Sequence, residues 1–257
     1  MKIVVAFVLA AVATVAAAAE HYEISSRRAT ERKAFTDAEI TDGFFKTAFG
    51  AELHLAGPVN RIRKFDGPVR VYVENHARPD RTGQVADVVA DVRAHIQNLD
   101  IAVVDTAAAA NLIVTLVRDH DLPRAITRIY GRDQARLIQR SLVPQCLSSF
   151  RKDEGFRITH SEVIIVADAG DFIFYDCVYE ELLQALGPIN DTNTVPWTMF
   201  NDDVQMGFFD VYDQYILNIL YDPRIRPGMD AEDVRTVLPQ VMPAVRSFVA
   251  RINNLAP

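Results

Sequence analysis

The chain is poor in the residues that most metal, redox and nucleotide chemistry requires. Two cysteines, Cys146 and Cys177, and six histidines serve 257 residues. His21, His54, His76, His95, His120 and His160 include no pair at i, i+4, so no helix can offer the two-imidazole face of a zinc protease. No G-x-S-x-G, P-loop or G-x-G-x-x-G is present, which withdraws support from serine-hydrolase, nucleotidase and dinucleotide-binding readings. Basic residues are outnumbered: 27 Lys and Arg against 34 Asp and Glu give a formal charge of −7. A nucleic-acid partner is therefore not expected, because such partners leave a basic footprint. After the first twenty residues no apolar run reaches the length of a membrane span.

What is present begins with a compartment signal. Met1-Lys2 is a short basic start, Ile3 to Ala18 is almost wholly apolar, and Ala16-Ala17-Ala18-Ala19 precedes Glu20. That is the pattern of a secretory signal peptide over 1–19, cut after a small residue. The expectation is an exported protein, periplasmic or extracellular and soluble after cleavage, with a monomer-friendly acidic surface. No cysteine follows the cut to carry a lipid. In an oxidising compartment Cys146 and Cys177 are expected to pair, and closing that loop would add about 3–4 kcal/mol in the chain-entropy account. Two buried free thiols are the rival reading.

Residues 20–35 carry Arg27, Arg28, Arg32 and Lys33 and read as a loosely held polar arm. One domain is expected over 36–257. Thr36 and Glu39 form a capping box that opens a helix. Val69, Val71 and Val73 alternate with polar residues as a strand does, and Ile101–Val104, Leu112–Val117 and Ile158–Ala167 are further strands. Val85, Val88, Val89, Val92, Ile96 and Leu99 share one helix face. Arg124, Arg128, Arg132, Arg136 and Arg140 recur every four residues, with Gly131 interrupting; a solvated helix face and an anion-binding groove are the two readings. After the irregular loop 191–203, residues from Phe208 to Leu220 form an amphipathic helix. Asp230 caps a last helical stretch, which Pro239 and Pro243 are expected to break into pieces. Mixed strands and helices indicate an α+β fold.

The chemistry-bearing stretch is Glu180-Glu181-Leu182-Leu183-Gln184-Ala185-Leu186-Gly187-Pro188-Ile189-Asn190. Its spacing resembles the metzincin zinc-protease helix H-E-x-x-H-x-x-G-x-x-H, with Glu180, Gln184 and Asn190 at the ligand positions, Glu181 at the catalytic glutamate and Gly187 at the helix-ending glycine. Trp197-Thr198-Met199 lies where such proteins place a methionine turn. Asp213 to Tyr221 resembles the D-x-x-x-[IL]-x-x-L-Y helix that follows in matrixin-like proteases. The resemblance implies a zincin-like fold: a mixed sheet, an active-site-type helix and a helical C-terminal part, with Gly187, Met199, Asp213 and Tyr221 in structural roles. The segment from Val163 to Met229, within the motif-bearing stretch 158–229, and more weakly the region from Val69, also resembles an exported proteobacterial family, domain of unknown function 2927. It does so through Cys177-Val178-Tyr179-Glu180-Glu181, Gln184-Ala185-Leu186-Gly187, Asn190-Asp191, Phe200-Asn201-Asp202-Asp203 and Leu220-Tyr221-Asp222-Pro223-Arg224 to Gly228-Met229. That family implies a zincin-like domain but no reaction.

The substitutions change the chemistry. Zinc favours imidazole and thiolate, so two amides and a carboxylate make zinc unlike this site; a weak oxygen-ligated ion such as calcium, with Asp191 adding charge, is the only metal the donor set suits. Without a metal the water keeps a pKa of about 15.7, leaving Glu181 no activated nucleophile. No cofactor is expected. The favoured expectation is a non-catalytic pseudoprotease that binds a peptide or another envelope component, with Glu180, Glu181, Gln184, Asn190 and Asp191 at its floor. The alternatives are a hydrolase using Glu181 as general base, and a purely structural domain. His160, opening the strand before the motif, is a further candidate for the cleft.

Overall fold

A computed structural model describes residues 21–50, 60–141, 146–201 and 203–255. The signal-peptide expectation for 1–19 lies outside them. A five-stranded sheet organises the molecule: β1 (Val69–Asn75), β2 (Ile101–Val103), β3 (Leu112–Val117), β4 (Cys146–Lys152) and β5 (Ile158–Val166), in the order β2-β1-β3-β5-β4. The first three pairings are parallel, and β4 alone runs antiparallel, against β5. This mixed sheet with its helices fits the expected α+β class.

The strand sequences explain their places. Val163 and Ile165 of β5 face one layer, Ile164 and Val166 the other, and all four are fully buried, as a central strand covered on both faces requires. In β1 only Val69, Val71 and Val73 are buried, the intervening residues being half-exposed. The larger layer holds α2 (Asp37–Ala48), α3 (Thr82–His95), α5 (Asp171–Gln184), α6 (Val211–Leu220) and α7 (Ala231–Ile252); every residue of α6 is buried. α4 (Leu122–Ser141) covers part of the opposite face through Leu122, Ala125, Ile126 and Ile138.

The capping boxes form at both ends of the helical layer. Thr36 accepts from the Glu39 amide while the Glu39 carboxylate accepts from Thr36, and Asp230 and Asp233 do the same for α7. The expected disulfide is present, joining Cys146 at the start of β4 to Cys177 in α5.

Three expectations are corrected. The arm expected to be loose is docked over its described residues, 21–35: α1 (Tyr22–Thr30) buries Ile24, and the guanidinium groups of Arg27, Arg28 and Arg32 lie over Phe172, Phe208 and Trp197 at 4.7, 4.2 and 4.3 Å. Glu31 also accepts from the Val211 amide at 2.6 Å. The prolines do not break α7, which runs unbroken from 231 to 252. Pro239 and Pro243 sit four residues apart on the exposed side, where the carbonyls they free can turn to solvent, while Val234, Leu238, Val241, Val245 and Val249 hold the buried face. β4 was not expected as a strand at all.

Candidate functional site

α5 begins at Gly170, whose φ of 99° suits glycine, and buries Phe172, Phe174, Val178, Leu182 and Leu183 against the sheet. This anchoring fixes where the motif residues point. Glu181 and Gln184 are buried, Gln184 only 3% exposed, and Glu180, Asn190 and Asp191 are half-buried. Gln184 is held from both sides: its Oε1 accepts from Ser148 Oγ of β4 at 3.1 Å and its Nε2 donates to Asp191 Oδ1 at 2.6 Å. Asn190 turns elsewhere, donating from Nδ2 to the Lys46 carbonyl in the last turn of α2 at 2.7 Å, while its backbone amide reaches the Thr47 carbonyl. The structure thus brings Gln184 and Asp191 together and directs Asn190 to a different element.

The downstream residues knit the same region. Gly187 has φ 143°, and a Cβ there would stand 2.4 Å from the Arg63 carbonyl oxygen, so only glycine fits. Asp213 accepts from Thr198 Oγ1 at 2.6 Å and from the Met199 amide at 2.7 Å, tying the methionine-bearing loop to α6. Tyr221 donates to the Leu186 carbonyl at 2.9 Å, closing the end of α5 onto the end of α6. Burial holds the Tyr221 phenol well above its ordinary pKa, so it stays a donor.

Apart from Asp213, which the matrixin-like resemblance marks, the buried ionisable groups here give no signal in the sequence. Asp210 and Asp213 are both buried side by side at the start of α6, and burial raises both above their ordinary value. Burial also pushes Asp176 up to about 6, against the lowering effect of the Met206 and Gly207 amides that it accepts from. Lys64, buried and donating to the Leu220 carbonyl at 2.8 Å, is brought down to about 8 by the same loss of solvent. The spacing rules that find metal and nucleophile motifs do not register such single buried charges.

His160 is not part of this site. It pairs with Glu162 at 2.7 Å, two residues along β5. The residue between them, Ser161, donates to the Ala185 carbonyl of the α5 end, so alternation places His160 and Glu162 on the opposite face of the sheet. Among the described residues no three His, Cys, Asp or Glu side chains gather within reach of one metal ion, and no helix is long and apolar enough to cross a membrane.

Residues 37–240 match the family described as Protein of unknown function (DUF2927), more than half of the sequence, and the chain belongs to that family. Among curated proteins, none matches it.

Proposed function

We propose that this is an exported, zincin-like domain whose protease-type site has become a structural hydrogen-bond knot, and that it acts without catalysis by binding an extended peptide or another envelope component. The carrying observation is the engagement of Gln184: its acceptor is taken by Ser148 and its donor by Asp191. A ligand role for Gln184 would break one buried and one part-buried hydrogen bond, and one for Asn190 would release the end of α2. The chain order supports the zincin-like reading: strand β5, helix α5, the Met199 loop and the Asp213-bearing helix α6 follow one another and are bonded together. The disulfide supports export.

A receptor surface for a peptide is available at β4. It is the last strand in the sheet, so one edge of its backbone is unpaired by any described strand, and an extended chain can add there by main-chain hydrogen bonding. Gln184, through Ser148, and Cys177, through Cys146, brace that strand from α5. On this reading the motif residues support the binding strand from beneath. The hydrolase alternative requires Glu181 to work on water without a metal, and nothing in the hydrogen bonding of Gln184 and Asn190 favours it.

The test is selection of binders to the mature protein from a random peptide library, followed by backbone amide exchange with and without the selected peptide. Protection of the Cys146–Lys152 amides is the expected outcome. Binders that protect another surface and leave β4 exchanging freely, or the absence of any binder, would overturn the peptide-binding proposal.

A further inference from the structure

A second, cationic crevice lies outside the motif residues of α5. β1 and β3 are neighbours whose chains depart to opposite sides, β1 into α3 on one face of the sheet and β3 into α4 on the other. In open sheets with parallel strands, the crevice beyond the carboxyl ends of two such strands is where ligands bind. Here that crevice holds two adjoining cavities of about 470 and 500 Å³ that share His76. Arg124 and Arg128 of α4 line the first and Arg78 and Arg118 the second, against two aspartates, Asp121 and Asp80. On a molecule of charge −7 this is a local excess of guanidinium groups.

The arginines differ in their engagements. Arg128 reaches Glu74 at 3.3 Å and Arg118 reaches Asp121 at 3.2 Å, so both are held in place by carboxylates. The side chains of Arg78 and Arg124 form no hydrogen bond or ion pair among the described residues, Arg78 having only Asp80 as an electrostatic neighbour, and both line the cavities. The every-fourth-residue arginine pattern divides at Gly131, whose φ of 77° breaks α4. Arg124 and Arg128 precede the break and line the cavity. All four lining arginines are exposed, as are Arg132 and Arg136 beyond the break, but the latter two line neither cavity; the Arg140 side chain is outside the described residues.

We infer that this crevice is a binding site for a small soluble phosphate compound, gripped by the forked donors of Arg78 and Arg124 with Arg118 and Arg128 completing the positive wall. Planar guanidinium groups match tetrahedral phosphate oxygens two at a time, and the combined space admits a group larger than a single phosphate. The site stands independently of the peptide-binding proposal, since it shares no residue with α5 or β4.

Calorimetric titration of the mature protein with pyrophosphate at low ionic strength tests this. One saturable site is expected, weakened roughly tenfold or more (about 1.4 kcal/mol or above) in the Arg78→Gln/Arg124→Gln double variant. Arg132→Gln, a charge removed from the same helix beyond the break, is expected to keep the parent affinity. Melting temperature without ligand checks that both variants fold, and retention of binding by Arg124→Gln alone at reduced affinity serves if the double variant does not. No saturable binding, or an equal loss in Arg132→Gln, would overturn the site as a diffuse surface charge.

Discussion

Replacing Gln184 by alanine puts the reading of the motif at direct risk. The change removes the acceptor of Ser148 Oγ and the donor to Asp191 Oδ1. A neutral hydrogen bond of the first kind contributes about 1 kcal/mol and one to a carboxylate about 1.5–3, with a further penalty where a buried hydroxyl is left unpaired. Ser148 is 5% exposed, so water does not replace the lost partner fully. The expected loss is about 3–4 kcal/mol, seen as a shift in urea midpoint at unchanged slope and as a fall of roughly 10 °C in Tm. The companion variant Gln184→Glu keeps the Ser148 acceptor but sets a second carboxylate oxygen against Asp191. Its pair is expected to titrate above the ordinary carboxylate range, so its stability approaches the parent in acid and falls as pH rises through the raised value. A loss below about 1 kcal/mol for Gln184→Ala, with no pH dependence in Gln184→Glu, would refute the knot and return Gln184 to the role of a spare site residue.

Other outcomes follow from the same geometry. Asp176, raised from 3.8 to about 6, favours the folded state when protonated, so its contribution is complete below about 3.8 and is lost as pH rises through about 6. Asp176→Asn is expected to flatten that window and to stabilise the protein at neutral pH by no more than about 3 kcal/mol, read by denaturation at a series of pH values. Gly187→Ala forces φ 143° on a residue with a Cβ that meets the Arg63 carbonyl, and should cost about 2–5 kcal/mol in urea unfolding. Reduction of the Cys146–Cys177 bond, or Cys177→Ser, should lower stability by about 2–5 kcal/mol and loosen β4, seen as faster amide exchange over Cys146–Lys152.

Where the sequence was legible, single elements carried enough information by themselves. β1, β3 and β5 announced themselves because burial on one or both faces demands alternating or continuous apolar residues. Thr36 and Glu39, and Asp230, marked helix starts because capping is local. β4 was hidden because an edge strand of Leu147, Ser148, Ser149, Phe150, Arg151 and Lys152 has one paired side and little to bury. The docking of α1 was hidden because arginines that stack on Phe172, Phe208 and Trp197 look in sequence like any solvated charge run.

The candidate site divides in the same way. The resemblance to the metzincin helix and to the helix that follows it singled out Glu180, Gln184, Gly187, Asn190 and Asp213 in the sequence. What those side chains do depends on Ser148, Lys46 and Thr198, whose approach is set by the tertiary fold. The arginine pattern needed the break at Gly131 before its two halves could be told apart.

The most direct measurement is the metal content of the mature protein, purified without chelator, together with its Tm before and after chelation. The expected result is no stoichiometric ion and an unchanged Tm, because the amides at the ligand positions are already bonded within the protein. One equivalent of a metal that disappears in Glu180→Ala or Gln184→Ala, with a Tm that falls on chelation, would contradict a metal-free pseudoprotease and point back to an enzyme.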